Sequence, residues 1–170
     1  MNECQPATTL PIKIAQLNIQ RKKHTTIQLL NRFWTEFDII LLQEPAWSFI
    51  GCNPLTGKEI NSPVALQGWS TILPITLLSD TSPRPQTLTY YRQRLDFSIT
   101  LRSDLIEDRD IQILDICQPN QQTVTLVNIY NDSPSSNQCI FNCLSTSENL
   151  LPQHPTLLTG DFNLHHPTWS

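Results

Sequence analysis

The sequence predicts a mixed α/β sandwich, in which one crossover unit is combined with several antiparallel strand pairs. Two observations predict this class. An apolar strand, an amphipathic helix and a second apolar strand follow one another near the N-terminus, an order typical of a right-handed crossover. Short β-rich runs then follow, separated by turn residues. With 170 residues, the chain fits one domain, which we place at residues 11–170 after a flexible N-terminus at 1–10.

The crossover unit occupies residues 11–43. Pro11–Asn18 alternates apolar and polar residues, which is typical of a strand. Thr25–Phe37 repeats apolar residues at helical spacing and begins with a candidate Thr cap. Asp38–Gln43 is a continuous apolar run closed by Glu44 and Pro45. This pattern predicts a strand that is covered on both faces.

The rest of the chain consists mainly of short β-rich runs. Ala46–Pro63 is rich in Gly, Asn, Ser and Pro, so we expect irregular structure there. Two runs flank the turn sequence QPNQ and should form a hairpin. The predicted elements in chain order are strands at Gly68–Leu73, Thr87–Tyr91 and Asp96–Leu101, the hairpin strands Asp110–Cys117 and Gln122–Tyr130, a helix at Ser135–Leu150 and a strand at Thr156–Thr159.

Composition excludes several classes of protein. Apolar residues make up 39% of the chain and only four are glycine, which excludes disordered and fibrous classes. No run approaches the roughly 18 uncharged apolar residues that cross a bilayer, and the N-terminus does not resemble a signal peptide. We therefore expect a soluble, intracellular protein. Its five cysteines form no CxxC pair, and their odd number favours reduced thiols.

A zinc site built from Cys139, Cys143 and His154 is one alternative for the cysteines near the C-terminus. The simpler interpretation treats the two cysteines as small apolar residues on one helix face.

Net charge limits how the chain can contact nucleic acid. At −4, the molecule as a whole lacks the basic character of a nonspecific DNA binder, so any such contact must be local. Candidate patches are Arg21, Lys22 and Lys23 after the first strand, and Arg92 with Arg94 in YYRQR. Ordinary solvated surface clusters are the alternative for both.

Polar residues recur where predicted strands end. Asn18, Glu44 and Tyr130 each follow an apolar run, and Asp161 and Asn163 follow the last strand through a glycine turn. Strand ends at one edge of a sandwich can converge on a single site. A carboxylate such as Glu44 suits Mg²⁺, which takes one or two protein carboxylates together with waters and phosphate oxygens. Asp161 could orient or deprotonate water, and Asn163 could hydrogen-bond a phosphoryl oxygen.

Four motifs in this order, LNIQ, LLQEP, VNIY and GDFNLHHPTW, resemble the endonuclease/exonuclease/phosphatase superfamily. The residues of LLQEP and GDFNLHHPTW are similar to the corresponding motifs of the retrotransposon (LINE-type) branch. The resemblance runs from about Pro11 to the last residue. It implies a DNase I-like four-layer sandwich, in which two mixed β-sheets lie face to face between helices, with an incomplete second sheet in this chain. It also implies metal-assisted hydrolysis of a phosphodiester.

The resemblance also implies a role for each candidate residue. Asn18 matches an asparagine at the metal and phosphate site, and Glu44 matches the metal-binding glutamate. Tyr130 matches a tyrosine that contacts the scissile phosphate. Asp161 matches the aspartate that aligns or activates water, and Asn163 an asparagine that supports the transition state. The oxygen-rich ligand set favours Mg²⁺, and Mn²⁺ fits nearly as well.

Two neighbouring histidines invite a catalytic role because histidine exchanges protons near neutral pH. The resemblance instead implies that His165 and His166 are structural, with Trp169 packed nearby.

The sequence departs from the family pattern at its C-terminus. The pattern continues for several dozen residues past GDFN and closes with an Asp-His pair, whereas this chain ends at Ser170. We therefore expect a truncated chain with an unpaired strand edge and exposed apolar surface. Loss of one group from a cooperating site costs on the order of 10² to 10⁴ in rate, so we expect little activity from the chain alone.

Three functions remain open at this point. The resemblance implies an endonuclease domain that nicks chromosomal DNA to prime reverse transcription. Such a domain would act in the nucleus as a monomer, with a reverse transcriptase domain downstream. The alternatives are a phosphatase of the same superfamily and a noncatalytic remnant that binds nucleic acid or a partner through its uncovered sheet face.

Overall fold

The structure is a computed structural model that describes residues 10–74, 84–94, 96–131 and 154–163. Its helix and strands, in chain order, are β1 (Ile14–Asn18), α1 (Lys23–Arg32), β2 (Ile39–Gln43), β3 (Trp47–Cys52), β4 (Glu59–Pro63), β5 (Trp69–Ile72), β6 (Thr87–Arg92), β7 (Ser98–Leu101), β8 (Ile111–Cys117), β9 (Val124–Tyr130) and β10 (Thr156–Asp161).

Two four-stranded mixed sheets carry the fold. The first has the order β1-β2-β6-β5, and only its β1-β2 pair is parallel. The second has the order β10-β9-β8-β7, and only its β10-β9 pair is parallel. Contacts of β1 and β2 with β9 and β10 bring the sheets face to face. The predicted mixed sandwich of two facing sheets is therefore confirmed.

Strand β2 lies at the centre of the packing, with all five of its residues buried. Ile39 and Leu41 pack between the sheets with Leu114 and Leu126 of the second sheet. Their neighbours in β2, Ile40 and Leu42, face the other way into a cluster that includes Leu30 of α1. Because side chains alternate along a strand, a strand covered on both faces must be apolar throughout. This explains the uninterrupted run in the sequence.

Sequence-based expectations are wrong for residues 46–63, for helix α1 and for the turn at Gly160. The N-cap of α1 is Lys22, with no side-chain hydrogen bond, rather than a threonine, and β10 continues through Gly160 to Asp161. Residues 46–63 are not irregular, since β3 and β4 pair there as an antiparallel ribbon with a register shift between Phe49 and Gly51. That shift and the exposure of many ribbon side chains remove the regular alternation that would have indicated strands. Helix α1 is also shorter than predicted, because the backbone turns at Phe33 and Phe37 packs edge-on against that ring.

Several expectations lie outside the described residues. These are the flexible N-terminus, apart from residue 10, the helix at 135–150 and the HHPTW segment. Within the described ranges, β10 is an edge strand of the second sheet, and Leu157 and Leu158 on it are 51% and 47% exposed. In the same ranges, no helix has both the length and the apolar character needed to span a membrane.

Candidate active site

The parallel pairing of β1 with β2 brings two of the candidate residues together. Asn18 is the last residue of β1, and Glu44 directly follows β2. Parallel strands end at the same edge of a sheet, so the side chains can meet there. The Asn18 side-chain amide Nδ2 donates a hydrogen bond of 2.9 Å to Oε1 of Glu44.

The second sheet supplies another carboxylate at the same rim. Asp161 ends β10, which is parallel to β9 and faces β1 across the sandwich. Nδ2 of Asn18 also donates to Oδ2 of Asp161 at 2.8 Å, joining residues 143 positions apart. A primary amide has two N–H donors, so one asparagine can hold one carboxylate from each sheet.

The electrostatics of this pair favour a cation. Two carboxylates held by one amide nitrogen repel each other, and a positive charge close by would offset that repulsion. The guanidinium Nε of Arg21 is 3.6 Å from Oε2 of Glu44, but its side chain is 61% exposed. Solvent screens such a pair strongly. Arg21 therefore offsets the negative charge only partly.

The glycine of the GDFN motif is required by close packing. Gly160 has a φ of 149°, and a Cβ atom at this position would lie 2.0 Å from the carbonyl oxygen of Ile129 on the neighbouring strand. That oxygen belongs to the backbone of β9 and cannot move aside without breaking the sheet. Gly160 thus lets β10 carry Asp161 to the rim beside β9.

The loop after Asp161 is fixed by asparagine side chains. The backbone N–H of Asn163 donates to Oδ1 of Asp161 at 3.1 Å, and the Asn163 amide donates to the carbonyl oxygen of Asn131. Asn131 in turn donates through its own amide to the carbonyl oxygen of Phe162 at 2.8 Å. These hydrogen bonds hold the Asp161 carboxylate in place. One of the two side-chain amide hydrogens of Asn163 is bonded to the Asn131 carbonyl, which, within the described ranges, leaves the other for a ligand.

Tyr130 lies at the level of Asp161 in the second sheet. The two residues are register partners in the parallel β9-β10 pair, and Tyr130 is 5% exposed. Along β9, Tyr130 shares a face with Asn128, whose side chain reaches the first sheet. The structure therefore places Tyr130 on the face of β9 that is turned towards Asn18 and Glu44.

Backbone strain is concentrated at the same rim. Among the described non-glycine residues, five have positive φ, and four of these are Gln20 (52°), Arg21 (57°), Glu44 (48°) and Asn163 (44°). Each such conformation costs on the order of 1–3 kcal/mol and needs support from its surroundings. For Glu44, the support comes from the Arg21 N–H and the Gln86 carbonyl, which bond its backbone at 2.8 Å each.

A row of buried amides beneath the site was not predicted from the sequence. Gln43 and Asn128 are fully buried between the sheets. Gln43 donates to the side-chain oxygen of Asn128 and accepts from Gln16, while Asn128 donates to the Leu42 carbonyl at 3.2 Å. Each is a polar residue in an apolar strand, which is the pattern that could have identified them. They fix the end of β2 immediately before Glu44.

The second predicted basic patch lies elsewhere. Arg94 pairs with Asp38 at 2.7 Å and with Asp96, and Arg92 is 3.9 Å from Asp38. Asp38 precedes β2, so these arginines sit at the opposite end of that strand from Glu44. Their charges are largely neutralised within the protein. The Arg21 patch, by contrast, adjoins the site.

Two mixed β-sheets packed face to face, with amide and acidic side chains on one rim, define a DNase I-like α/β sandwich. A comparison with solved structures finds the same fold in a chain described as "Endonuclease domain of TRAS1, a telomere-specific non-LTR retrotransposon". The TM-score is 0.66 at 20% sequence identity, over 94% of this chain and 62% of that one. This likeness confirms the fold that the resemblance implied. No protein-family model and no curated protein matches the sequence.

Proposed function

We propose that this chain belongs to the endonuclease domain of a non-LTR retrotransposon and hydrolyses a phosphodiester bond of DNA with the help of a divalent metal ion. One observation carries the proposal. A single asparagine amide joins the carboxylates of Glu44 and Asp161, from two different sheets, at a partly exposed rim. A purely structural role would not require two acids to be held together where, among the described residues, a single exposed arginine approaches Glu44.

The donor set at the rim fits Mg²⁺, with Mn²⁺ as the close substitute. Magnesium is bound by one or two carboxylates plus waters and substrate phosphate oxygens, rather than by a complete protein cage. Within the described ranges, no group of three or more His, Cys, Asp or Glu residues could hold a metal ion. Glu44 would bind the ion with Asn18 beside it, and the ion would supply charge stabilisation to the phosphate oxygens.

The remaining residues act on the water and the phosphate. Asp161, which is oriented by Asn18 and by the N–H of Asn163, would align the attacking water and take its proton. The second amide hydrogen of Asn163 would stabilise the charge that develops on a phosphoryl oxygen. Tyr130 would contact the scissile phosphate.

The biological setting follows from the same proposal. The nick in chromosomal DNA would prime reverse transcription, so the domain would act in the nucleus as a monomer, alongside a reverse transcriptase domain. This chain spans 62% of the similar solved structure, and activity of the whole domain is part of the proposal.

Nicking of supercoiled plasmid by the purified chain tests the proposal. We expect slow relaxation in Mg²⁺ that stops in EDTA and is lost in Glu44→Gln. Glu59→Gln is the matched control, because Glu59 is an exposed glutamate on β4 away from the rim. Nicking that persists in Glu44→Gln or ignores the metal would contradict the assignment of the site.

A panel of substrates separates the alternatives. A phosphatase should hydrolyse a small phosphate monoester faster than plasmid DNA, and we expect the opposite preference. DNA binding without any Mg²⁺-dependent nicking would favour the noncatalytic alternative.

A further inference from the structure

A groove of about 480 Å³ opens beside the candidate active site. It is lined by Arg21, Pro45, Trp47, Arg84 and Gln86. Arg21 and Arg84 are exposed, whereas Trp47 is half-buried. The groove thus combines two positive side chains with one aromatic ring.

The groove is joined directly to Glu44. The backbone N–H of Arg21 donates to the Glu44 carbonyl, and the Glu44 N–H donates to the carbonyl of Gln86, both at 2.8 Å. Pro45 is the next residue in the chain. Of the described lining residues, Arg21, Pro45 and Gln86 are therefore hydrogen-bonded or covalently linked to the proposed metal ligand. Any polymer whose cleaved bond lies at Glu44 has this groove as its neighbouring subsite.

In the part of the chain that the structure describes, the positive charge of the groove is compensated only weakly. Within the described residues, Arg84 forms no hydrogen bond or ion pair, and Arg21 has only the 3.6 Å approach to Glu44. By contrast, Arg94 at the other end of β2 is engaged by two aspartates. In a chain of net charge −4, exposed arginines next to an acidic site fit a polyanion that runs past a bound cation.

We propose that this groove holds the sugar-phosphate backbone of the DNA strand next to the cleaved phosphate, with Arg84 and Arg21 on phosphate oxygens and Trp47 against a sugar or base. The inference rests on the proposed function, since it assumes that the polymer cleaved at Glu44 is DNA. Guanidinium groups bind phosphate oxygens in a fixed, two-pronged geometry. Aromatic rings accept nucleotides of any sequence. The groove therefore contributes affinity and register rather than sequence choice.

Equilibrium binding to a fluorescein-labelled DNA duplex, measured by anisotropy in EDTA at several salt concentrations, tests the groove without cleavage. The slope of log K against log salt falls by about 0.9 for each phosphate that the protein no longer neutralises. We expect Arg84→Gln to reduce the slope by about this amount, and to weaken binding equally for duplexes of unrelated sequence. Trp47→Leu should weaken binding by about fivefold or more while keeping the slope, since it removes stacking but no charge.

Arg32→Gln is the matched control, because Arg32 is an exposed arginine at the end of α1, outside the groove. For Arg32→Gln, the slope of log K against log salt should equal that of the unaltered chain. An unchanged slope in Arg84→Gln, or an equal drop in Arg32→Gln, would overturn the groove assignment and leave the nuclease proposal standing. Absence of DNA binding by the unaltered chain would remove both proposals.

Discussion

Strand β2 is flanked by two carboxylates whose surroundings differ. At its start, Asp38 is 5% exposed and accepts hydrogen bonds from the Lys13 N–H at 2.9 Å and from Arg94 at 2.7 Å. At its end, Glu44 has a strained φ of 48°, a bond to an amide and a loose approach to Arg21. The first carboxylate is neutralised by the protein itself, and the second is held beside another acid.

The contrast between the two ends of β2 indicates that the Asp38 end stabilises the fold, whereas the Glu44 end serves function. Arg94 is itself stacked on Phe97, with its guanidinium 5.4 Å from the ring centroid, so the Asp38 end is tied into the core. The Glu44 end accumulates positive φ angles and like charges, features that reduce stability and cluster at functional sites. Substitutions at the two ends should therefore have opposite consequences.

The largest effect is expected for Glu44→Gln. It should lower the nicking rate by about 10² to 10⁴, as is common when one member of a cooperating site is removed. Stability should stay the same or rise slightly, because one of two neighbouring like charges is lost. The nicking rate and urea-induced unfolding of the same preparation measure the two properties. A loss of stability that accounts for the loss of rate would remove the contrast between the ends.

Asp38→Ala should show the opposite pattern. It removes an acceptor from Arg94 and from the Lys13 N–H, which should cost about 1.5–3 kcal/mol of unfolding free energy, the range for hydrogen bonds to charged groups. Nicking measured well below the unfolding midpoint should be unchanged. A fall in nicking at full stability would mean that the two ends of β2 are coupled.

Gln43→Leu tests the buried amides that support the Glu44 end. It leaves the buried side-chain oxygen of Asn128 without its Gln43 donor and should cost about 1–3 kcal/mol. Adding Asn128→Leu removes both partners and should recover much of that stability. If the amides position Glu44, nicking stays low in the double variant. Recovery of nicking together with stability would show that the amides only maintain the fold.

The smallest effect is expected for Asp96→Asn, on the stability of the protein at acidic pH. The guanidinium of Arg94 holds the pKa of Asp96 below its usual value. A depressed carboxylate pKa stabilises the fold above the unfolded pKa of about 4, and this contribution is lost as pH falls through the folded pKa. Asp96→Asn should therefore flatten the acid limb of a stability-against-pH curve measured by urea unfolding. An unchanged acid limb would show that the Arg94 pair contributes nothing measurable.

Local patterns predicted much of the fold. The uninterrupted apolar run of β2, the hairpin across QPNQ and the crossover through α1 all follow from side-chain alternation and turn chemistry and appear in the structure. The β3-β4 ribbon was missed because its alternation is interrupted by a register shift. Gln43 and Asn128 are recognisable as polar residues in apolar strands, but their role was missed because only their pairing across the sandwich shows what these amides support.

For the candidate site, too, some features follow from the sequence and others only from the tertiary structure. By itself the sequence determined which residues end the strands, because a polar side chain after an apolar run marks the point where a chain leaves the core. Only the tertiary structure decided that Asn18 would bond Glu44 and Asp161 at once, and that Arg21 and Arg84 would share a groove while Arg94 was neutralised. These outcomes depend on distances between segments far apart in the chain, which are set when the two sheets pack.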